Sequence, residues 1–245
     1  MENLDLTSAY TWSLSPLFGI DHPLLVIQAD IIRTTWIICA MLVALFVCIR
    51  LIIHYNRGIA SYIIIQGVSA FISLCNQTLG FFSYKHVSFI CALFIFILAC
   101  NTFAVFPGIE EPTRNLNTTL ALGFIAFIYI QYEAIKKNGL YAYIKGYFQP
   151  IFLLLPLNII GKLASVVSMS FRLFGNIFGG SLITHIYLSA ISSHWLIQTI
   201  MLLTGINLLV TIFFTLFEGA LQAFVFTMLT VTYLGLTLQE DGGGH

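Results

Sequence analysis

Ser170-Phe171-Arg172-Leu173-Phe174-Gly175-Asn176 places a permanently charged guanidinium inside the long apolar stretch Ile151–Ile191. A charge at the middle of a membrane span costs about 3 kcal/mol on insertion scales. Arg172 must therefore face protein or water and have a partner or a task. No acid lies within one helical turn of it, so a partner comes from elsewhere, either another subunit or a transported ion. Arginine suits a fixed positive role because it keeps its proton at any working pH, which a buried lysine need not.

Arg172 sits on a stripe. Gly161, Ser165, Ser168, Arg172, Gly175, Asn176 and Gly179 recur at three- and four-residue spacing, one helix face of small or polar side chains. Small residues let another helix approach closely. A static crossing needs no charge in its centre, so the arginine favours a working interface over mere packing. Ser181 and His185 are four apart and share a second face, which at about 100° per residue lies roughly opposite Arg172. His185 reads either as a hydrogen-bonded core histidine or as the lining of a wet path, and an ionisable group at membrane depth favours the path. Asn207, Thr211, Thr215, Glu218 and Gln222 fall at intervals of four, four, three and four in the next stretch. A carboxylate such as Glu218 can take up and release a proton; it can also serve as glue between helices.

These residues need a membrane scaffold, and composition supplies one. Of 245 residues 59% are hydrophobic and only 8% charged, outside the range of soluble domains. The net charge is zero, so nucleic acid is not an expected partner. Cys39, Cys48, Cys75, Cys91 and Cys100 form no CxxC pair and read as small apolar residues. The acidic N-terminus lacks the basic region of a signal peptide. A haem held between helices needs facing histidines, yet only His185 lies deep. No Walker, GxSxG, HExxH or Rossmann pattern is present, so no nucleotide site, metal or cofactor is expected.

The expected fold is an all-α membrane protein with about five transmembrane helices plus one interfacial helix, the last two helices long and tilted as a hairpin. Residues 1–33 form a polar-tinged outer segment. Spans are expected over 34–53, 87–106 and 118–135. Residues 58–82, interrupted by Ser61, Gln66, Ser69, Asn76 and Gln77, fit an interfacial helix or a span. The stretches 151–191 and 195–238 are each about twice the roughly 20 residues of an upright span. They are separated by Ser192-Ser193-His194 and lack a charged turn at mid-length, which favours tilt over two spans each. Arg50, Arg57, Lys136, Lys137 and Lys145 fall on one side and Arg114 on the other. The positive-inside rule puts the N-terminus outside and the C-terminus inside.

Three strings resemble a known family. Ser168 to Asn176, Leu221-Gln222-Ala223-Phe224-Val225-Phe226 and Pro112-Thr113-Arg114-Asn115-Leu116-Asn117-Thr118-Thr119-Leu120 are similar, in order and spacing, to the arginine helix, last helix and outer loop of subunit a of F-type rotary ATP synthases. The resemblance covers about residues 20–240. It implies a non-catalytic membrane subunit, a proton channel of two half-channels serving the carboxylates of a c-subunit ring. A b-subunit stalk and the rest of the F1Fo complex would be its partners, and a bacterial inner membrane its site in preference to an organellar one. Arg172 would face each passing c-subunit carboxylate, Gln222 would be its neighbour, and Asn176 would line the adjacent path. In that family an ionisable residue commonly sits nine after the arginine and its partner seven before the glutamine; here those positions are Ser181 and Thr215. His185 and Glu218 lie one turn from each and could substitute. Position 115, often acidic in the family, is Asn. A sodium-coupled version of the same subunit, a structural subunit with an anchoring arginine and a secondary transporter are the alternatives. Internal repeats that would favour the last are missing.

Overall fold

The computed structural model describes residues 11–13, 26–55, 58–103, 111–147, 155–192 and 205–239. Two short strands, β1 (Thr11–Ser13) and β2 (Val26–Gln28), pair antiparallel with Trp12 opposite Ile27. The rest of the described chain is essentially helical: α1 (Ala29–Tyr55), α2 (Ile59–Leu79), α3 (Tyr84–Thr102), α4 (Leu116–Asn138), α5 (Leu140–Tyr147), α6 (Leu155–Ser192), α7 (Ile206–Thr211) and α8 (Gly219–Gln239). A 3-10 turn, Pro112–Arg114, precedes α4, and a π-helical segment, Ile212–Glu218, joins α7 to α8.

Local chemistry sets the boundaries. α2 stops at Gly80, whose φ of 76° is a left-handed cap and whose N–H returns to the Asn76 carbonyl at 2.9 Å; a side chain there would be strained. α4 starts at Asn115, whose side-chain oxygen accepts from the Asn117 N–H at 2.9 Å, so the residue at this position caps a helix. Pro156 stands in the first turn of α6, where a missing N–H costs no intrahelical bond.

Six helices among the described residues are long and apolar enough to cross a membrane: Ile31–Tyr55, Ser61–Leu79, Tyr84–Thr102, Leu116–Asn138, Leu155–Tyr187 and Leu216–Leu238. The chain is an integral, multi-pass, all-α membrane protein. With 38 residues, α6 is roughly 57 Å long at 1.5 Å per residue. That is nearly twice a hydrocarbon core of about 30 Å, so it can cross only at a steep tilt. The expected turn at Ser193-His194 and the first part of the expected last helix, 195–204, lie outside the described residues, as do 151–154.

Two buried clusters tie the helices together. Leu93 and Ile97 of α3, Leu122 and Ala126 of α4, Met169, Leu173 and Ile177 of α6, and Ala223 and Phe226 of α8 form one. Cys75 and Leu79 of α2 join Val87, Ile90, Ile130, Val231, Leu234 and Leu238 in the other. A smaller cluster, Ile38, Leu42, Ala99 and Cys100, holds α1 against α3. Small residues allow the closest approaches, as expected where lipid cannot drive helices together. A Cβ at Gly123 of α4 would collide with the Ser170 hydroxyl of α6, and one at Gly235 of α8 would come within 3.1 Å of the Thr78 carbonyl of α2.

Candidate functional site

Arg172 is the eighteenth residue of α6 (172 − 155 + 1), midway along the helix. Val166, Met169, Ser170, Leu173 and Ile177 face the bundle and are buried. The stripe lies on the other side: Gly161, Ser168, Arg172 and Gly175 are exposed, and Ser165, Asn176 and Gly179 partly so. A Cβ added at Gly161, Gly175 or Gly179 would meet nothing within 4 Å. Arg172 and Gly175 therefore stand on a face that no described residue covers, while Asn176 turns toward α8 and Gly161 and Ser165 border the space between α4, α6 and α8. Its guanidinium has no hydrogen bond or ion pair with another described residue.

One turn further on, α6 is tied to α8. The Asn176 Nδ2–H donates to Gln222 Oε1 at 2.6 Å. Gln222 is 1% exposed, and its Nε2 is buried with no hydrogen-bond partner among the described residues. A buried amide donor without a partner costs about 1–3 kcal/mol. It is therefore a group whose retention asks for a functional reason. The two amides form a polar bridge one turn from the arginine, in a zone otherwise built from Leu173, Ile177, Ala223 and Phe226.

Glu218 is half-buried and ends the π-helical segment. The α-helical periodicity linking Asn207 and Thr211 to Glu218 does not carry through, because each π turn takes in an extra residue; such widened turns occur frequently at functional sites. The side chains of Asn207, Thr211 and Thr215 lie outside the described ones. At the next residue the helix is clamped. Asn101 at the end of α3 donates its Nδ2–H to the Gly219 carbonyl at 2.9 Å. The Thr113 hydroxyl of the 3-10 turn donates to Asn101 Oδ1 at 2.7 Å. Asn101 and Thr113 are fully buried, and a Cβ at Gly219 would lie 2.8 Å from the Asn101 Cβ. The loop between α3 and α4 thus fastens directly beside Glu218.

His185 is exposed on α6, and the partly exposed Ser181 donates its hydroxyl to the Phe178 carbonyl at 2.9 Å. Neither His185 nor Glu218 has a hydrogen bond or ion pair with another described residue. Of the residues singled out in the sequence, the fold joins Asn176 to Gln222 and sets Arg172 near that bridge. It does not pair Glu218 with His185. Among the described residues no group of three or more His, Cys, Asp or Glu is placed to hold a metal.

Two polar sets escape sequence reasoning. The first is the Asn101–Thr113–Gly219 clamp, whose one signal is an amide at the end of an apolar run. The second is at the opposite end of the bundle, where Lys85 of α3 forms an ion pair with the buried Glu133 of α4. The Lys85 Nζ lies 5.3 Å from the centre of the Tyr132 ring, and His86 Nδ1 is 2.9 Å from the Tyr129 hydroxyl. Lys137 also donates to the Leu238 carbonyl. In the sequence Glu133 is masked by its neighbours Lys136 and Lys137, which read simply as the basic end of a span.

The chain is 36% identical over 201 residues to the ATP synthase subunit a of Moorella thermoacetica, covering 82% of this chain and 86% of that one. It is 32% identical over 220 residues to the ATP synthase subunit a 3 of Pelobacter propionicus, covering 87% and 89%. The similarity to the ATP synthase subunit a of Nitrosospira multiformis is shorter, 34% over 157 residues and 58% of that protein's length. Residues 32–235 match the family model described as ATP synthase A chain. That stretch contains the arginine helix, the Asn176–Gln222 bridge and the clamp beside Glu218, and the chain belongs to the ATP synthase A chain family.

Proposed function

We propose that this chain is the stator of an ion channel in the membrane sector of a rotary ATP synthase, carrying protons through two half-channels to and from the carboxylates of a c-subunit ring. The observation that carries the reading is Arg172, exposed midway along α6 and one turn from Gly175, on a face that no described residue covers. A fixed guanidinium there favours the ionised form of any carboxylate brought beside it and so releases that group's proton. It also repels a hydrated proton and so bars a direct leak between the two half-channels.

The other residues divide the remaining work. Glu218, beside the clamped loop, relays protons on the outer side. Gln222 and Asn176 hold the crossing next to the arginine, and the unpartnered Gln222 N–H is a donor for water on the path or for the ring carboxylate. Ser181 and His185 line the polar side of α6. Orientation follows the lysines: Lys85, Lys136, Lys137 and Lys145 share one end of the bundle, which is then inside, with Arg114 outside. The c-ring and a b-subunit stalk are the partners in the F1Fo complex, and a bacterial inner membrane is the setting.

The deciding experiment replaces Arg172 with Ala or Lys in the assembled complex and follows ATP-driven acidification of inverted vesicles, in sodium-free buffer and with sodium added. Pumping falls to background in both variants while the complex still assembles. Normal acidification by Arg172→Ala overturns the reading, and loss of acidification by the unmutated complex on adding sodium, with ATP-driven sodium uptake in its place, replaces the proton with that ion.

A further inference from the structure

The short helix α5, Leu140–Tyr147, lies between two membrane spans and takes no part in the polar crossing around Arg172. Since α4 crosses the membrane and α6 crosses back, α5 lies at one membrane face. A single residue, Gly139, separates it from α4, and its φ of 80° is a conformation that favours glycine. The Gly139 N–H closes α4 on the Ile135 carbonyl at 2.9 Å, and its own carbonyl accepts the Tyr143 N–H at 3.1 Å to open α5. The sequence thus spends a glycine on turning the chain at the very end of a span.

One side of α5 is committed to the bundle. Tyr143 donates its hydroxyl to Gln131 Oε1 of α4, and its ring lies 5.4 Å from the Lys162 Nζ of α6. Counted from Tyr143 at about 100° per residue, Leu140 and Ile144 fall roughly 60° and 100° round the helix, and Tyr141 and Lys145 roughly 160° and 200°. Leu140 is 61% exposed, Ile144 49% and Tyr141 82%, and Lys145 is exposed too. Away from the bundle α5 therefore runs from aliphatic through phenolic to ammonium. That is the order met on leaving a bilayer, where hydrocarbon gives way to the tyrosine-rich interface and then to the headgroups. The surroundings are cationic. Lys136 and Lys137 at the end of α4 are exposed, and the bond from Lys137 to the Leu238 carbonyl leaves its charge in place. Glu133, the one carboxylate among the described residues at this end, is buried and paired with Lys85.

We propose that α5 is an interfacial anchor that rests on an anionic lipid surface. Leu140 and Ile144 enter the acyl boundary, Tyr141 sits at headgroup level, and Lys145 reaches the lipid phosphates. Amphipathic helices with such an arrangement lie in the plane of the interface, and lysines beside a membrane span add attraction to acidic lipids. A free helix of eight residues would bury too little to stay bound, but one tethered between spans is held at the surface already. A lipid surface matches the graded order of side chains without any special complement, whereas a protein laid over the aliphatic flank would have to accommodate Tyr141 and Lys145 beside it. Because Tyr143 ties α5 to Gln131, the surface that holds α5 also steadies the end of α4. The proposal needs only that α4 and α6 cross the membrane, and it is independent of which ion the subunit carries.

The test uses the whole complex in vesicles of phosphatidylcholine with phosphatidylglycerol. A nitroxide is attached at Tyr141→Cys, Ile144→Cys or Lys145→Cys, one at a time, with the exposed Cys48 changed to Ser. Collisions are measured with oxygen, which concentrates in the bilayer, and with a neutral nickel chelate, which stays in water. Oxygen dominates at Ile144→Cys, nickel dominates at Lys145→Cys, and Tyr141→Cys falls between. Leaving out phosphatidylglycerol, or adding Lys145→Gln in its presence, lowers the oxygen-to-nickel ratio at Ile144→Cys by about fivefold, the worth of one lysine near an anionic surface. Nickel collisions at Ile144→Cys equal to those at Lys145→Cys would place α5 in water and overturn the proposal. Low collision rates with both reagents at Tyr141→Cys and Ile144→Cys would show another subunit covering α5, and would overturn it as well. A ratio indifferent to phosphatidylglycerol and to Lys145→Gln would refute the anionic surface.

Discussion

Asn101 and Gly219, 118 positions apart, are joined by a 2.9 Å hydrogen bond from side-chain amide to main-chain carbonyl, and a β-carbon on the glycine would lie only 2.8 Å from that of Asn101. The bond sits at the point where the π-helical segment gives way to α8, one residue after Glu218. The carboxylate is therefore positioned by α3 and by the loop after it as much as by its own helix.

Gly219→Ala should drive α8 off α3, at a cost of about 1–3 kcal/mol for forced overpacking, and should lower the dissociation temperature of the complex. Asn101→Ala should not relieve this, because the collision is with the β-carbon that alanine retains. Asn101→Ala alone strands the buried Thr113 hydroxyl, costing about 1–3 kcal/mol. Thermal unfolding of the three variants checks both statements, and recovery of the double variant to the stability of Asn101→Ala alone would refute the steric account.

Glu218→Gln keeps shape and hydrogen-bonding capacity but removes the titrating proton. Loss of a positioned acid–base group typically costs about a hundredfold or more, so proton flux through the membrane sector should fall by about that factor between pH 6 and pH 9. His185→Ala should do less. Passive flux in vesicles stripped of the catalytic sector measures both, and wild-type flux in Glu218→Gln would make this carboxylate structural.

The open face of α6 should meet a moving partner. A cysteine at Ser168 should form a disulfide with cysteines on a c-subunit helix, and the bond should stop ATP-driven rotation until reduced. Failure to crosslink at any ring position would point to a static crossing.

Orientation is separately testable. In sealed inverted vesicles an impermeant thiol reagent should label Lys145→Cys and spare Arg114→Cys, with the reverse in right-side-out vesicles. Labelling of both from one side would refute the topology.

Much of this was legible in the chain because the signals are energetic outliers. Arg172 and Glu218 stand out as charges in apolar runs, and the stripe from Gly161 to Gly179 follows from helical spacing alone. The long helix, expected over 151–191, is described from Leu155 to Ser192. What stayed hidden depends on contacts between distant segments. Nothing in Ile212–Glu218, which has neither proline nor glycine, announces a widened helix. The resemblance implied Gln222 as a neighbour of Arg172 and not of Asn176; the bond between the two amides requires α6 and α8 to meet at one height, which no local pattern announces.

The glycines of this subunit serve two opposite mechanical ends. Gly123, Gly219 and Gly235 lock helices together, where an added methyl group has no room. Gly175 and Gly179 have no described atom within 4 Å of an added Cβ and keep α6 low on the side beside Arg172. A helix sliding past a ridged surface must climb over each side chain in turn; past a bare backbone it meets little corrugation. The same residue type thus welds the frame and, on the proposed reading, polishes a bearing. If the proposed ring passes this face, friction there should rise one methyl group at a time with Gly→Ala at Gly175 or Gly179, with no loss of the frame's rigidity.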